Sequence, residues 1–168
     1  VKMRQTSTIC IAALNGASAG GGLGLALACD ARVATSQAKM AASYARMGLS
    51  PDGGTTWLLP RLVTDQVARR FFLENEIWSA QQAAELGAID AIVEETELIN
   101  CAKQIALRWS RWGQHSKESI KHLLDVQSTN DFETHLKHER TLIEASGQTA
   151  AFKEGVSAFL EKREPNFD

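Results

Sequence analysis

The sequence has no block of basic residues, and it has no charged residue at all between Arg4 and Asp30. Its 18 lysines and arginines stand against 20 aspartates and glutamates, which gives the 168 residues a net charge of −2. This near-neutral balance argues against a surface for nucleic acid or for anionic membranes. The content of 44% hydrophobic and 23% charged residues is typical of a folded globular domain and excludes a disordered chain.

The uncharged stretch of residues 5–29 is long enough to suggest a transmembrane helix. Its centre, however, reads NGASAGGG over residues 15–22, and these glycines and polar residues favour a strand–turn–helix junction instead. A secretory signal is not visible, because a basic start and a cleavable apolar region are both missing. We therefore predict a soluble protein.

Cysteine and metal-ligand patterns are equally sparse. Cys10, Cys29 and Cys101 cannot all pair, and each lies in an apolar stretch, which predicts reduced core thiols of an intracellular protein. The sequence has no spaced cluster of His, Cys and carboxylate residues of the kind that binds a metal. We therefore expect neither a metal nor a redox cofactor.

Apolar runs and cap residues predict a chain of mixed α and β structure. Strands are expected at residues 8–14, 31–35, 39–42 and 89–93, with a buried helix at 23–29. Further helices are expected to begin near Asp52, Thr64 and Ser79. Three or four amphipathic helices follow, and the last runs to about Glu164. This order predicts an α/β core over residues 1–95 and a helical region over residues 96–168.

The first glycine-rich segment, residues 16–22, suggests several kinds of site, and two of them can be excluded from the sequence. A dinucleotide fingerprint fails, because from Gly20 or Gly22 the required third glycine is a leucine. A P-loop fails because no lysine follows. Residues 16–20, GASAG, match G-x-S-x-G and would make Ser18 the nucleophile of a serine hydrolase. That mechanism needs a histidine, and all four histidines fall in the helical C-terminal part.

Another interpretation of these glycines needs no side chain. Consecutive glycines that enter a helix expose backbone N–H groups at the positive end of the helix dipole. Such donors stabilise an oxyanion or enolate and typically lower the barrier by ~3–4 kcal/mol. Alternatively, the glycines only allow the helix to pack closely on a strand. The residues themselves leave both interpretations open.

A second glycine-rich segment, residues 48–57, reads GLSPDGGTTW and contains the carboxylate of Asp52. As an N-cap of the helix that follows, Asp52 would typically contribute ~1 kcal/mol. As a carboxylate in a glycine-lined pocket, it would act as a general base. Sequence spacing does not choose between these roles.

In order along the chain, the motifs resemble those of the crotonase superfamily, the enoyl-CoA hydratases and isomerases. The similar segments are IAALNG, AGGG, ACDAR, GLSPDGG, LPRLV, SAQQA and EGVSAFLEKR. The resemblance implies a crotonase-like (ClpP/crotonase) α/β fold, with a ββα spiral core and a C-terminal helical oligomerisation region. It further implies a homotrimer or dimer of trimers, and an acyl-CoA substrate whose coenzyme A replaces any separate cofactor.

The resemblance implies a thioester enolate held by two backbone N–H groups. Gly21 matches the position of one donor. Its neighbours Gly20 and Gly22 are expected to contact the substrate. Hydratases of the family carry two glutamates, and Gly24 and Tyr44 occupy those positions here. Hydration needs an acid and a base, so the usual route is not expected. Tyr44 is expected to line the acyl pocket, to hydrogen-bond the substrate or to pack in the core.

Asp52 matches the catalytic aspartate of the double-bond isomerases in this superfamily. The pattern of residues 51–61, which places Trp57 near the substrate, is most similar to the branch of enoyl-CoA and phenylacetyl-CoA epoxide isomerases. One carboxylate suffices for isomerisation, because it removes a proton at one carbon and returns it at another. The same position carries the nucleophilic aspartate of an aryl-CoA dehalogenase. We predict isomerisation, and the alternative is a non-catalytic CoA-binding or assembly protein.

Near the C-terminus, Phe159 and Lys162 match positions that approach the CoA nucleotide from a neighbouring subunit. Lys162 alternatively complements the dipole of the last helix. Family members also carry an N-terminal segment before the strand near Thr8, which supplies the second oxyanion donor. We therefore expect this chain to be a fragment or a shortened member of weak activity. The implied location is the bacterial cytoplasm or a mitochondrial or peroxisomal matrix.

Overall fold

A computed structural model describes residues 1–167, which divide into two units. One unit is formed by residues 10–106, and the other by residues 1–9 together with the chain from residue 107 onward. Within residues 1–167, no helix combines the length and apolar character that a membrane span requires. The expected boundary at residue 95 between an α/β core and a helical region stays a prediction.

Six short strands form two three-stranded sheets in the unit of residues 10–106. The strands are β1 (Ile11–Leu14), β2 (Ala17–Ala19), β3 (Ala31–Thr35), β4 (Lys39–Ala41), β5 (Ile77–Ser79) and β6 (Ala91–Val93). The first sheet has the order β1-β3-β6 and is parallel throughout. The second has the order β2-β4-β5, with β2 parallel and β5 antiparallel to β4. The pairs β1–β2 and β3–β4 each place one strand in either sheet, as expected of a ββα spiral.

Within the described residues 1–167, eight α-helices lie between and after the strands. They are α1 (Gly21–Ala28), α2 (Thr55–Leu58), α3 (Asp65–Leu73), α4 (Ala80–Glu85), α5 (Leu98–Ser110), α6 (Gln114–Val126), α7 (Phe132–Ser146) and α8 (Ala150–Glu161). The predicted caps of α3 and α4 are confirmed, because Thr64 accepts a hydrogen bond from the Val67 N–H and Ser79 accepts one from the Gln82 N–H. Such caps typically contribute ~1 kcal/mol each.

The main core surrounds α1. Leu23 and Leu27 of this helix, Met40 of β4, Phe71 of α3 and Trp78 of β5 are each at most 1% exposed and belong to one cluster. Burial of an apolar side chain of this size typically stabilises the fold by ~1.5–3 kcal/mol. Packing in this core therefore fixes the position of α1, the helix that begins at the glycine-rich turn.

A buried arginine connects the C-terminal end of α1 to the loop that precedes β6. Arg32 is 3% exposed, and its guanidinium donates to the carbonyl oxygens of Cys29, at 2.9 Å, and Ala88, at 2.8 Å. The same group forms an ion pair with Asp90 at 3.3 Å. A cation at a helix C-terminus also complements the helix dipole. These contacts fix α1 at its far end.

Several details differ from the sequence predictions. The strands β2 and β5 were not predicted, because three residues are too few to show a periodicity. The last helix ends at Glu161, since Lys162 adopts a left-handed conformation with φ of 57°. Cys10, Cys29 and Cys101 are each half-buried rather than fully buried, and Cys101 packs against the core cluster of Val33 and Leu98. Phe132, Leu136 and Ile143, on the apolar stripe of α7, are exposed in this chain.

Candidate active site

The glycine-rich turn leaves the N-terminal end of α1 open. Gly20 adopts φ of 52° and ψ of −130°, a conformation that residues with a side chain rarely take. The helix begins at Gly21, and a Cβ atom on Gly20, Gly21 or Gly22 would meet no other residue within 4 Å. The first N–H groups of a helix have no intrahelical acceptor. A ligand oxygen that enters this space can therefore approach the N-terminal end of α1 closely.

The second glycine-rich loop packs directly on the first turn of α1. A Cβ atom on Gly53 would lie 3.5 Å from the Cα of Gly24 and 3.7 Å from the Cα of Gly21. Backbones approach this closely only where a side chain is missing. Asp52 precedes Gly53, so the loop brings the one carboxylate of this segment to the glycine-rich end of the helix. Two residues predicted separately, Gly21 and Asp52, thus lie on neighbouring segments of the fold, and their shared catalytic role stays a prediction.

The carboxylate of Asp52 does not cap a helix, so the N-cap expectation is wrong. The N-cap of α2 is Gly54, and no side chain caps that helix. Asp52 is exposed, and its Oδ1 accepts a 2.9 Å hydrogen bond from the hydroxyl of Tyr44. Its backbone carbonyl accepts a 3.0 Å bond from the Thr55 hydroxyl. The side chain of Asp52 is therefore held by Tyr44 and the main chain by Thr55.

Tyr44 is a buried residue, only 6% exposed, that precedes the short 3₁₀ helix Ala45–Met47. Its burial raises the pKa of the phenol above its ordinary value, although the hydrogen bond with Thr55 acts in the opposite direction. The phenol therefore remains protonated near neutral pH and donates to Asp52. Sequence reasoning missed this bond; the available signal was that Tyr44 is the only tyrosine and occupies a glutamate position.

The ring of Tyr44 also lines an apolar cavity of about 490 Å³. Leu49, Pro51, Phe72 and Leu73 contribute to the same cavity, and the rings of Tyr44 and Phe72 lie 6.5 Å apart. Tyr44 therefore packs in the core, as one of its expected roles required, whereas its contacts with an acyl group or with the substrate stay predictions.

Trp57 lies on α2 and is 40% exposed. The guanidinium of Arg61 lies 3.3 Å from the centre of its ring and donates to the Trp57 carbonyl oxygen at 2.7 Å. This is the geometry of a cation–π interaction. The contact between Trp57 and the substrate stays a prediction.

Ser18 occupies a position that does not suit a nucleophile elbow. It is the middle residue of β2, opposite Met40 on β4, and is 9% exposed. An elbow serine stands on the sharp turn between strand and helix. Here that turn is formed by Gly20. The hydrolase alternative therefore does not fit the structure.

Phe159 and Lys162 belong to the other unit, at the C-terminal end of α8. Phe159 is 81% exposed, and Lys162 is the C-cap residue whose N–H donates to the Phe159 carbonyl oxygen. Their expected contact with coenzyme A stays a prediction. Among the residues that the structure describes, no group of three or more His, Cys, Asp and Glu side chains is placed to hold a metal.

Comparison with known proteins decides the family. Residues 1–168 match the family model described as enoyl-CoA hydratase/isomerase. The chain belongs to the enoyl-CoA hydratase/isomerase family. The predicted crotonase-like fold and the assignment to a family of enzymes are thereby confirmed.

Relatives of this family member carry both isomerase and hydratase names. The chain is 38% identical to 1,2-epoxyphenylacetyl-CoA isomerase of Escherichia coli K12, over 94% of this chain and 60% of that protein. It is 34% identical to crotonyl-CoA hydratase of Syntrophomonas wolfei, over the same fractions of each. An enoyl-CoA hydratase structure from Polaromonas sp. JS666 is 34% identical with a TM-score of 0.90, over 98% of this chain and 64% of that one.

The names of the relatives do not decide the reaction of this family member. An isomerase and a hydratase are similar to it to nearly the same degree. The chain spans about 60% of the length of the curated relatives it matches. The reaction must therefore be inferred from the residues of its own site.

Proposed function

We propose that the full-length protein containing this chain isomerises a double bond or a strained ring in an acyl-CoA thioester. The observation that carries this proposal is the single carboxylate of Asp52 on a loop packed against the open N-terminal end of α1 at Gly21. A thioester oxygen that accepts a hydrogen bond from the Gly21 N–H has its enolate form stabilised by that donor and by the helix dipole. The neighbouring carbon then becomes more acidic.

In the double-bond reaction, Asp52 removes a proton from the carbon next to the thioester of a 3-enoyl-CoA. The electron pair moves into the thioester carbonyl as an extended enolate. The protonated Asp52 then returns a proton at the far end of the conjugated system, which gives the 2-enoyl-CoA. The reaction neither adds water nor transfers electrons, so it needs no metal or redox cofactor.

The residues at the two hydratase positions support isomerisation over hydration. Water addition needs a base for the water and an acid for the carbon. Gly24 has no functional side chain, and the phenol of Tyr44 has a raised pKa, which makes it a poor base near neutral pH. Asp52 is the remaining carboxylate at this site, and a single carboxylate matches the requirement of isomerisation.

The assembly and the CoA contacts form the second part of this proposal. Phe152, Phe159 and Leu160 on α8 are each more than half exposed, which supports an interface between subunits of a trimer. Phe159 and Lys162 would then meet the CoA of a neighbouring subunit. A mitochondrial relative, methylglutaconyl-CoA hydratase of Mus musculus, supports the cytoplasm or an organelle matrix as the location.

Product analysis in deuterated water tests the reaction type. The full-length protein is incubated with a 3-enoyl-CoA and, separately, with a 2-enoyl-CoA, and the products are followed by absorbance and mass spectrometry. We expect the 3-enoyl-CoA to yield the conjugated thioester, with solvent deuterium entering the acyl chain. Conversion of the 2-enoyl-CoA mainly to a 3-hydroxyacyl-CoA would replace isomerisation by hydration. CoA binding without turnover or exchange would favour the non-catalytic alternative.

A further inference from the structure

We propose that Tyr44 is the positioning residue of the catalytic carboxylate: its hydroxyl holds Oδ1 of Asp52, so that Oδ2 is the oxygen that exchanges protons with the substrate. This inference rests on the proposed role of Asp52 in isomerisation and assigns Tyr44 a part in it. Tyr44 does not itself touch the reacting carbons in this scheme.

Asp52 lies on a loop that does not by itself fix a side chain. The carboxylate is exposed, and the two residues that follow, Gly53 and Gly54, have positive φ values of 59° and 76°. An exposed side chain on such a loop samples several rotamers, and ordering it costs conformational entropy. Acid–base catalysis requires the reacting oxygen within hydrogen-bond reach of the substrate carbon. A restraint from a more rigid part of the fold is therefore needed.

Tyr44 supplies that restraint from the core side. Its ring is 6% exposed and lies beside Phe72, so the hydroxyl position is fixed by packing. The hydroxyl lies 2.9 Å from Oδ1 and 3.4 Å from the backbone carbonyl oxygen of Asp52, and only the shorter contact has the distance of a strong bond. A neutral phenol that donates to a carboxylate makes a charge-assisted hydrogen bond.

Thr55 completes the arrangement without touching the carboxylate. Its side chain is fully buried, and its hydroxyl donates to the Asp52 carbonyl oxygen at 3.0 Å. Thr55 thus fixes the backbone at Asp52, whereas Tyr44 fixes the orientation of the side chain. Oδ1 is engaged by Tyr44, which leaves Oδ2 to face the substrate. A site held at both points is preorganised for a single reacting oxygen.

Two other roles for Tyr44 give different results in the same experiment. If Tyr44 only packs the core, removal of its hydroxyl changes stability and leaves turnover unchanged. If Tyr44 gives its proton directly to the substrate, its removal lowers turnover even when Asp52 is already disabled. The positioning role alone makes the effect of Tyr44 depend on Asp52.

A double-mutant cycle in the full-length protein tests the proposal. Wild type, Tyr44→Phe, Asp52→Asn and the double variant are compared for isomerisation of a 3-enoyl-CoA, with long incubations in deuterated water to measure residual exchange. We expect Tyr44→Phe to lower kcat by about ten- to a hundredfold, the effect of losing one hydrogen bond to a charged group. We expect its KM to stay within about twofold and Tyr44→Phe to have no further effect in the Asp52→Asn background.

The control is Ser79→Ala, which removes a hydroxyl that caps α4, a helix that carries no residue of the site. Its kcat is expected to stay close to wild type. A wild-type kcat in Tyr44→Phe, an equal loss in Ser79→Ala, or a further loss of the same size in the double variant each overturns the positioning role. A wild-type kcat in Asp52→Asn would instead overturn the proposed function itself, because Asp52 would then not be the catalytic carboxylate.

Discussion

A Cβ atom on Gly24 would lie 2.6 Å from the carbonyl oxygen of Gly53. No real side chain tolerates such a contact, so any residue larger than glycine at position 24 must displace the loop that carries Asp52. Position 24 is also where the resemblance places a glutamate in the hydratases. A glutamate at position 24 is therefore incompatible with the present position of the loop that carries Asp52. The absence of the hydratase glutamate and the placement of Asp52 depend on the same close contact.

The variant Gly24→Ala tests this contact. Overpacking against a backbone atom typically costs ~1–3 kcal/mol, and alanine recovers ~1 kcal/mol of helix propensity. We expect a net loss of about 0–2 kcal/mol in the free energy of unfolding, measured by urea denaturation, and a stability lower than that of the control below by about 1–3 kcal/mol. The matched control is Gly22→Ala on the same helix, where a Cβ atom meets nothing within 4 Å. Equal stability of the two variants would contradict the close contact between Gly24 and the Gly53 carbonyl oxygen.

Arg32→Met removes the buried guanidinium that joins α1 to the loop before β6. The carbonyl oxygens of Cys29 and Ala88 lose their donor, while Asp90 is 43% exposed and is rehydrated. We expect a loss of about 3 kcal/mol in the free energy of unfolding. Arg69→Met breaks an ion pair with Asp65 that is exposed to solvent, and it should lower the free energy of unfolding far less than Arg32→Met. Similar losses in both variants would contradict the structural role of Arg32.

The end of α8 should be sensitive to acid. Two hydrogen bonds from the Arg163 guanidinium and one from the Asn166 N–H lower the pKa of Glu154 to about 2. Because the pKa is lower in the folded state than in the unfolded state, the ionised carboxylate stabilises the fold at neutral pH. This contribution is lost as the pH falls from 4.5 toward 2.

Thermal unfolding of wild type and Glu154→Gln at a series of pH values measures this effect. We expect the variant to melt at a lower temperature near neutral pH, and the difference to shrink as the pH falls below 4.5. The control is Glu133→Gln, which breaks an exposed pair with Lys137 on α7 and should change the midpoint less. A difference in melting temperature that stays constant down to acid pH would contradict the lowered pKa of Glu154.

Much of the fold could be predicted because its signals are local. The strand at residues 31–35 has the predicted bounds, and the caps Thr64 and Ser79 act within one helical turn. The Asp52 cap failed because Gly53 and Gly54, both with positive φ, separate it from the first residue of α2. A left-handed turn of this kind depends on what packs against it, and here that is the backbone of α1.

The candidate site could be predicted residue by residue but not as an arrangement. Gly21 and Asp52 attract attention because each lies in a glycine-rich segment. Their proximity depends on the contact between Gly24 and Gly53, which are far apart in the chain. The bond from Tyr44 to Asp52 spans a 3₁₀ helix and a loop whose path no local pattern determines. Such relationships follow from packing in three dimensions.

The most direct test of the central claim is the turnover of Asp52→Asn in the full-length protein. The substitution keeps the shape of the side chain and removes its ability to take a proton. We expect kcat for isomerisation of a 3-enoyl-CoA to fall by about 10²- to 10⁴-fold, the usual contribution of a general acid–base residue. Asp65→Asn, an exposed carboxylate at the start of α3, should retain wild-type turnover. Wild-type turnover in Asp52→Asn, with the protein folded, would contradict the account.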